Sequence, residues 1–188
     1  VGTTRSVERP PSMQQPMGTI ARVTIDYRAA TAEDRAVLWS MLVHAAHAAE
    51  DGRDHVEDVQ RDPALARYVD GWPRVGDLGV VARRDGAPIG AAWLRLLVGD
   101  EQRSSAFVDE RTPEVAVAVL PGTEGRGVGT RMLTELLARA DAQYEQTTLN
   151  ARADNPAVRL YQRLGFVAVG VIVNRVGSES VKMIRLRP

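Results

Sequence analysis

The feature that most restricts the fold of this chain is a glycine-rich turn between a buried strand and an amphipathic helix. A nearly unbroken apolar run covers 114–119 and suits a strand that is buried on both faces. Three glycines, Gly125, Gly127 and Gly129, follow at every second position. The helix after them is predicted by an apolar stripe at helical spacing: Met132, Leu133, Leu136, Leu137 and Ala140.

This turn has the features of an anion-binding site. Glycines let a ligand approach the backbone closely, and the N–H groups and dipole of the following helix favour negative charge. The helix start carries Arg126 and Arg131, although acidic residues are favoured there, and a bound polyanion explains this inversion better than helix stability. A packing turn is the alternative. The turn matches neither the Rossmann pattern G-x-G-x-x-G nor the Walker pattern ending in G-K-[ST].

The rest of the chain predicts a mixed α/β (α+β) fold. We expect a central, mostly antiparallel, twisted sheet of six to seven strands, flanked by about four helices. A turn at Asp85-Gly86 joins two of the strands, and Thr31 and Asp154-Asn155-Pro156 begin helices. The predicted strands are 23–27, 78–82, 88–98, 114–119, 147–152, 166–176 and 181–186. One or two short helices are expected in 54–70, broken at Pro63.

Composition excludes several classes of function. The chain has 188 residues, enough for one domain, which we place at 21–188 after a flexible leader at 1–20. Lys+Arg and Asp+Glu are both 24, so no basic excess points to nucleic acid or an anionic membrane surface. With no cysteine, a disulfide, a thiolate metal site and a cysteine nucleophile are excluded. No apolar run is long enough for a membrane helix, and no apolar signal core is present, so a cytoplasmic location is expected.

Several segments together resemble the GNAT superfamily of N-acetyltransferases. The run from Val117 to Thr130 resembles the family's motif A, a central strand followed by Arg/Gln-x-x-Gly-x-Gly/Ala. The run Asn155-Pro-Ala-Val-Arg-Leu-Tyr-Gln-Arg-Leu-Gly-Phe166 resembles motif B, with its Leu-Tyr and Gly-Phe pairs. The Asp85-Gly86 hairpin and the helix start at Thr31 also fit, so the similarity covers 23–187. The order and spacing of these motifs make the resemblance specific.

The resemblance implies a splayed pair of parallel strands, 114–119 and 147–152, with acetyl-CoA bound between them as co-substrate. Strand backbone near Val117 would pair with the pantetheine arm and polarise the thioester carbonyl. The turn amides would bind the pyrophosphate. The predicted cofactor-binding residues are Val117, Ala118, Val119, Gly125, Arg126, Gly127, Val128, Gly129, Thr130, Asn155 and Tyr161.

The resemblance also implies two catalytic residues. Glu114, at the start of the central strand, would act as general base, through a water, because an alkylamine with a pKa of about 10.4 must lose a proton to attack. A solvated structural role is its alternative, and a pocket water, Asp109 or Glu110 is the alternative base. Tyr161 matches the tyrosine that protonates the leaving thiolate. Its alternative role is packing in an amphipathic helix.

Two positions depart from the family pattern. Glu124 replaces the usual Arg/Gln at the head of motif A, and because a carboxylate near a pyrophosphate is unfavourable, we expect its side chain to point away from the phosphates. The register of the motif B asparagine holds Asp154, with Asn155 one residue later, and we expect the uncharged Asn155 to contact the cofactor.

The acceptor is less well defined by the sequence. Tyr68, Trp72 and Trp93 are candidates for lining an acceptor pocket, although core packing is an alternative for each. His44 and His47 share a helical face, but no third ligand accompanies them, so we predict no metal site.

The function predicted from the sequence is transfer of an acetyl group from acetyl-CoA to a primary amine by direct attack in a ternary complex. The acceptor would be a small molecule or a peptide, and the closing hairpin is a candidate homodimer contact. The alternatives are a catalytically silent acyl-CoA-binding module and a nucleotide-binding protein that uses the same turn.

Overall fold

The computed structural model describes residues 24–99, 103–174 and 177–188, and the predicted leader at 1–20 lies outside them. These residues form one seven-stranded sheet with the order β1-β2-β3-β4-β5-β7-β6. Its strands are β1 Ile25–Ala29, β2 Leu78–Arg84, β3 Ala87–Arg95, β4 Glu114–Val119, β5 Gln146–Arg152, β6 Val167–Val173 and β7 Glu179–Leu186. All neighbouring pairs are antiparallel except β4 with β5. The predicted mixed sheet is therefore confirmed.

Five α-helices flank this sheet in the described part of the chain, where about four were expected. They are α1 Arg35–Ala45, α2 Val56–Arg61, α3 Pro63–Ala66, α4 Val128–Ala140 and α5 Val158–Arg163. The additional helix arises because the segment before Trp72 is split. Asp62 is extended and its side chain caps the amide of Ala64, so Pro63 begins a new helix at a position where its missing N–H costs nothing.

The helices form a layer on each face of the sheet. The α4 and α5 helices cover one face, where their apolar residues pack against side chains such as Val115 and Leu149. The segment containing α1, α2 and α3 covers the other face and packs against side chains such as Trp93 and Ala118. A strand exposes alternate side chains to opposite faces, so every residue of β4 points into one of these two layers.

The parallel pair opens into a gap after its first residues. The only register pair between β4 and β5 is Glu114 with Thr148, and the Thr148 amide donates to the carbonyl of Pro113 at 3.0 Å. The carbonyl of Pro113 points towards β5, and backbone groups of alternate strand residues point to the same side. Those of Val117 and Val119 therefore also point towards β5, which has already diverged at this level. Ala118 faces β3 instead and pairs with Ala91. The predicted splayed pair is therefore confirmed.

Candidate active site

The glycine-rich turn leaves a row of amides without acceptors at the start of α4. Gly125 and Gly127 have φ values of 71° and 78°, a backbone conformation that favours glycine, and Gly127 is the N-cap residue of the helix. Among the described residues, no backbone carbonyl accepts a hydrogen bond from the amides of 125–130. A Cβ atom added at Gly125 or Gly127 would meet nothing within 4 Å. The turn is therefore open and its donors are available to an anion.

The two arginines at this turn differ in what they contribute. Arg131 donates to Glu135, one helical turn later, at 2.7 Å, so a local ion pair accounts for its charge. Arg126 is exposed and does not belong to the lining of the cleft described below. The helix has no acidic residue in its first turn. The glycine amides and Arg126 therefore remain the groups that favour a polyanion at this turn, whereas the charge of Arg131 is matched by Glu135.

One continuous cleft, with a volume of about 1070 Å³, connects this turn to Glu114. It is lined at one end by turn residues such as Gly127 and Thr130, and in the middle by Val117 and Val119 of β4. Its far end, which we call the acceptor end, is lined by Arg67, Tyr68, Arg103, Ser104, Glu114 and Asn150. From Glu114 to Val119, β4 runs five residue steps, about 16 Å of extended chain, before the chain continues to the turn. A long substrate can therefore lie along the gap with one end at each site.

Glu114 is the centre of a buried hydrogen-bond network at the acceptor end. It is 3% exposed, which contradicts the alternative of a solvated residue at a strand start. Its Oε1 accepts from the Tyr68 hydroxyl at 2.7 Å and from Nδ2 of Asn150 at 3.0 Å, and its Oε2 accepts from the hydroxyl of Ser104. Three neutral donors thus fix the orientation of one carboxylate.

Burial and hydrogen bonding act on the pKa of Glu114 in opposite directions. Burial raises this pKa above its usual value, while the hydrogen bonds from Ser104, Tyr68 and Asn150 and the charge of Arg67 oppose the rise. The pKa of the Tyr68 hydroxyl is raised well above its usual value, by burial first and then by the charge of Glu114. Tyr68 therefore stays protonated and donates, and Glu114 is a stronger base than an exposed carboxylate.

The network is assembled from segments that are far apart in the chain but tightly fixed. Ser104 lies in the loop between β3 and β4, and this loop is held because its carbonyls at Ala106 and Phe107 accept from Thr148 and Lys182. The Ser104 hydroxyl also accepts from the amide of Ala106 at 3.1 Å. These contacts hold the loop against β5 and β7, so the donor to Glu114 is positioned before any substrate binds.

Tyr161 approaches the gap from the opposite face of the sheet. It lies on α5, is 7% exposed and packs edge-to-face against Phe166 with ring centroids 6.2 Å apart. Burial raises the pKa of Tyr161 to about 12, so the hydroxyl is protonated at neutral pH and can donate. Its ring belongs to the α4–α5 layer, whereas Tyr68 packs with the α1–α3 layer. The two predicted catalytic residues therefore line one cleft from opposite sides.

The structure separates the two candidates at the start of motif B. Asn155 lines the cleft, and its Oδ1 accepts from the amide of Ala157 at 2.8 Å, which leaves its side-chain amide as a possible donor. Asp154 does not line the cleft and lies 3.4 Å from Nε of Arg152. The geometry therefore favours Asn155 over Asp154 as the residue nearer to a bound cofactor.

Other candidates from the sequence are distributed differently. Trp72 and Trp93 are core residues whose indole N–H groups donate to the carbonyls of Thr31 and Tyr68, so their proposed role in an acceptor pocket is wrong. The alternative bases Asp109 and Glu110 do not line the cleft. His44 and His47 do line it. Among the described residues, no group of three His, Cys, Asp or Glu side chains is placed to hold a metal ion.

Ser104 and Asn150 are site residues that the sequence analysis did not identify. Ser104 belongs to a polar loop that carries no local motif. Asn150 had one available signal, because it is an amide at the centre of the strand segment Leu149-Asn150-Ala151, between two buried apolar residues. Asn150 itself is half-buried, and its side-chain amide donates to Glu114 at 3.0 Å.

Comparison with known proteins identifies the family. The model of the acetyltransferase (GNAT) family matches residues 47–166, which is more than half of the chain. The chain belongs to the GNAT acetyltransferase family. This match confirms the family and the enzyme class that the sequence motifs indicated. The matched range includes α4, α5 and the whole Glu114 network, so both ends of the cleft lie within the GNAT domain.

A curated relative matches a smaller part of this GNAT chain. It is the mycothiol acetyltransferase of Thermobispora bispora, 34% identical over 93 residues. The match covers 49% of this chain and 30% of the relative, so the chain spans less than a third of that enzyme.

Solved structures share the GNAT fold over nearly the whole chain. A protein of Salmonella typhimurium, solved with acetyl-CoA as its cofactor, is 23% identical with a TM-score of 0.64, covering 87% of this chain and 94% of that one. An aminoglycoside acetyltransferase in complex with coenzyme A and kanamycin is 24% identical with a TM-score of 0.55, covering 87% and 95%. In the described part of this chain, no helix is long and apolar enough to cross a bilayer.

Proposed function

We propose that this GNAT protein transfers the acetyl group of acetyl-CoA to a primary amine by direct attack in a ternary complex. The observation that carries the proposal is the single cleft that joins the unoccupied amide row of the glycine turn to the buried carboxylate of Glu114. One end suits a diphosphate and the other suits an amine that must lose a proton. The acceptor and donor would thus meet in the gap between β4 and β5.

The residues along the gap fit acetyl-CoA as a substrate. The amides of 125–130 would bind the pyrophosphate, because they have no internal acceptor and open space lies around Gly125 and Gly127. The backbone groups of Val117 and Val119, which face the gap, would pair with the pantetheine arm as an added strand does. An N–H of this strand would stabilise the oxyanion that forms on the thioester carbonyl.

Glu114 would accept a proton from the attacking amine. An alkylammonium has a pKa of about 10.4, so attack at neutral pH needs a base that removes a proton. Glu114 would take one proton from the ammonium, directly or through one water, and release it to solvent. The neutral nitrogen would then form a bond to the thioester carbon and give its second proton to the same carboxylate. Tyr68, Ser104 and Asn150 would act as positioning residues that hold this carboxylate ionised and aimed.

Tyr161 would protonate the leaving group. When the tetrahedral intermediate collapses, the carbon–sulfur bond breaks and the sulfur leaves as a thiolate, which takes the hydroxyl proton of Tyr161. The tyrosinate then regains a proton from solvent. The location of Tyr161 on the α5 face and of Glu114 on the α1–α3 face separates the two proton transfers across the gap. The chain contains no cysteine, so transfer through a cysteine acyl-enzyme is excluded.

The central test is release of the CoA thiol from acetyl-CoA in the presence of an amine panel, with acetyl-CoA binding measured separately by calorimetry. We expect micromolar to millimolar binding and amine-dependent thiol release with formation of an amide. Binding without release from any amine would instead support a catalytically silent acyl-CoA-binding module. ATP competing as well as CoA for the site would support the nucleotide-binding alternative. Aminoglycosides belong in the panel because structural neighbours bind them.

We also propose that the β6–β7 hairpin forms a homodimer contact. The β6 strand is at the edge of the described sheet and has no charged residue, and Val167, Val169, Val171 and Val173 are each more than half exposed. Edge strands are usually protected by charge or proline, and an uncharged edge can pair with its own copy without repulsion. Sedimentation velocity should show a dimer that Val171→Lys dissociates and Val98→Lys, at an exposed site elsewhere, leaves intact. A monomeric parent protein would contradict this.

A further inference from the structure

Arg67 carries a positive charge at the acceptor end of the cleft, and no carboxylate among the described residues forms an ion pair with it. Arg67 and Arg103 line this end. The only acidic residues among the described cleft-lining residues are Glu114 here and Glu124 at the opposite end, beside the glycine turn. Glu114 already has three neutral donors. Glu114 is therefore oriented by neutral groups and forms no ion pair with Arg67.

Arg67 is held in place through its backbone and side chain. Its carbonyl accepts from Nη1 of Arg95 at 2.9 Å, and Arg95 is itself buried in an ion pair with Asp77 at 2.5 Å. The Arg67 side chain donates from Nε to the carbonyl of Pro63 at 3.2 Å and from Nη1 to the carbonyl of Arg103. This anchoring limits the entropy that the side chain loses when a ligand binds.

The Arg67 guanidinium has donors to spare. A guanidinium has five N–H donors, and the hydrogen bonds of Arg67 to described residues involve only Nε and Nη1. Both acceptors are neutral carbonyls, and no carboxylate of the described residues lies within 4.0 Å of its nitrogens. Its charge acts on Glu114 only at longer range, where it opposes the rise in the pKa of that carboxyl. A half-buried cation with a fixed stem and no counter-ion is suited to bind a carboxylate.

We propose that the acceptor is an amine that also carries an anionic group, of which a carboxylate is the simplest, and that Arg67 binds this group. The inference rests on the proposed function. An amino acid or similar zwitterion would place its ammonium group near Glu114 and its carboxylate near Arg67. A polycation would bring further positive charge next to Arg67. Arg67 is thus a specificity-determining residue, whereas Glu114 serves any amine.

The test compares amines that differ only in the anionic group. Alanine, methionine, phenylalanine and glutamate are each assayed beside their α-amides, together with spermidine as a polycation, and kcat/KM is measured by release of the CoA thiol. We expect each productive acid to exceed its amide by roughly tenfold or more, as for loss of a charge-assisted hydrogen bond. Spermidine should be the poorest acceptor.

Variants then assign the preference to Arg67. Arg67→Gln should lower kcat/KM roughly tenfold for the acid and change it by less than about threefold for the amide, so that the preference disappears. Arg67→Lys should retain part of the preference because it keeps the charge but not the fork. Arg61→Gln is the control, because Arg61 is exposed on α2, pairs with Asp58 at 3.6 Å and does not line the cleft.

The outcomes separate this inference from the proposed function. Equal turnover of acids and amides, a preference for spermidine, or an equal loss with both substrates in Arg67→Gln would overturn the anionic acceptor and leave acetyl transfer standing. Equal loss would mean that Arg67 acts only by tying α3 to the loop at Arg103. No thiol release from any amine by the parent protein, despite acetyl-CoA binding, would overturn the proposed function and this inference with it.

Discussion

The two ends of the cleft are built in different ways. At the glycine turn the groups that we propose bind the cofactor are backbone amides of consecutive residues, 125–130, and no side chain of this segment has to be placed by the rest of the fold. At the acceptor end the functional groups are side chains that meet Glu114 from positions 46, 10 and 36 residues away. A site made from local backbone should be sensitive to conformation at one residue, while a site made from distant side chains should divide its function among several.

The largest effect on acetyl-CoA binding should come from Gly127→Val. A β-branched residue is strained at φ 78°, and because no protein atom lies within 4 Å of the new Cβ, the side chain would project into the cleft opening. We expect acetyl-CoA affinity to fall by roughly a hundredfold or more, about 2.7 kcal/mol, measured by calorimetry.

Gly86→Val provides the matched control for this variant. Gly86 has φ 83°, also has no atom within 4 Å of an added Cβ, and lies in the β2–β3 turn outside the cleft lining. Both variants should lose on the order of 1–2 kcal/mol of unfolding free energy from the left-handed conformation. If Gly86→Val also lost acetyl-CoA binding, the loss in Gly127→Val would be due to impaired folding and not to the glycine turn.

Glu114→Gln should have the largest effect on turnover. Replacing the carboxylate with an amide of the same shape removes the base, which typically contributes about 10²- to 10⁴-fold to the rate. Acetyl-CoA affinity should remain within about threefold, because the turn amides are untouched. Glu110→Gln is the control, since Glu110 is exposed and outside the cleft. A larger loss in Glu110→Gln than in Glu114→Gln would reverse the assignment of the base.

Tyr161→Phe should reduce kcat by a smaller factor. We expect roughly tenfold to hundredfold, at or below the low end for general acid catalysis, because a thiolate is already a good leaving group. Acetyl-CoA affinity should change little, since the ring and its contact with Phe166 are retained. Tyr144→Phe, which loses only a hydrogen bond to the Gly76 carbonyl away from the cleft, should retain full activity. Unchanged kcat in Tyr161→Phe would remove Tyr161 from the mechanism.

The same contrast explains what the sequence could and could not predict. The strand, the turn and α4 follow from apolar runs and glycines that lie next to one another. Val117, Val119 and Gly127, which were predicted as cofactor-binding residues, all line the cleft. The partners of Glu114 depend on how α3, the β3–β4 loop and β5 pack together, which no local pattern encodes. Trp72 illustrates the same limit. Its aromatic side chain suggested a role in a pocket, but packing buries it in the core.

The pH dependence of kcat/KM tests whether Glu114 depends on its neighbours at the acceptor end. The rate should fall as the pH drops through the raised pKa of Glu114, because the base becomes protonated, so the acid limb of kcat/KM should lie above the usual value of about 4.3 for glutamate. Tyr68→Phe removes a donor that lowers this pKa, so the limb should move to higher pH. An acid limb that stays in place, with only a uniform loss of rate, would assign Tyr68 a structural role alone.

The smallest effect is expected from neutralising Glu124. This change tests whether binding of acetyl-CoA at the glycine turn depends on side-chain charge. A carboxylate about 5 Å from a phosphate would cost on the order of 1 kcal/mol even in water, so its neutralisation would improve affinity roughly fivefold. Glu124 lines the cleft beside the turn but is exposed to solvent, and we expect its side chain to point away from the phosphates. Glu124→Gln should therefore change the Kd for acetyl-CoA by less than about twofold at physiological salt. A fivefold tighter complex would place the carboxylate beside the diphosphate. In that case the turn binds acetyl-CoA against a like charge, and its amides contribute more than the affinity alone reveals.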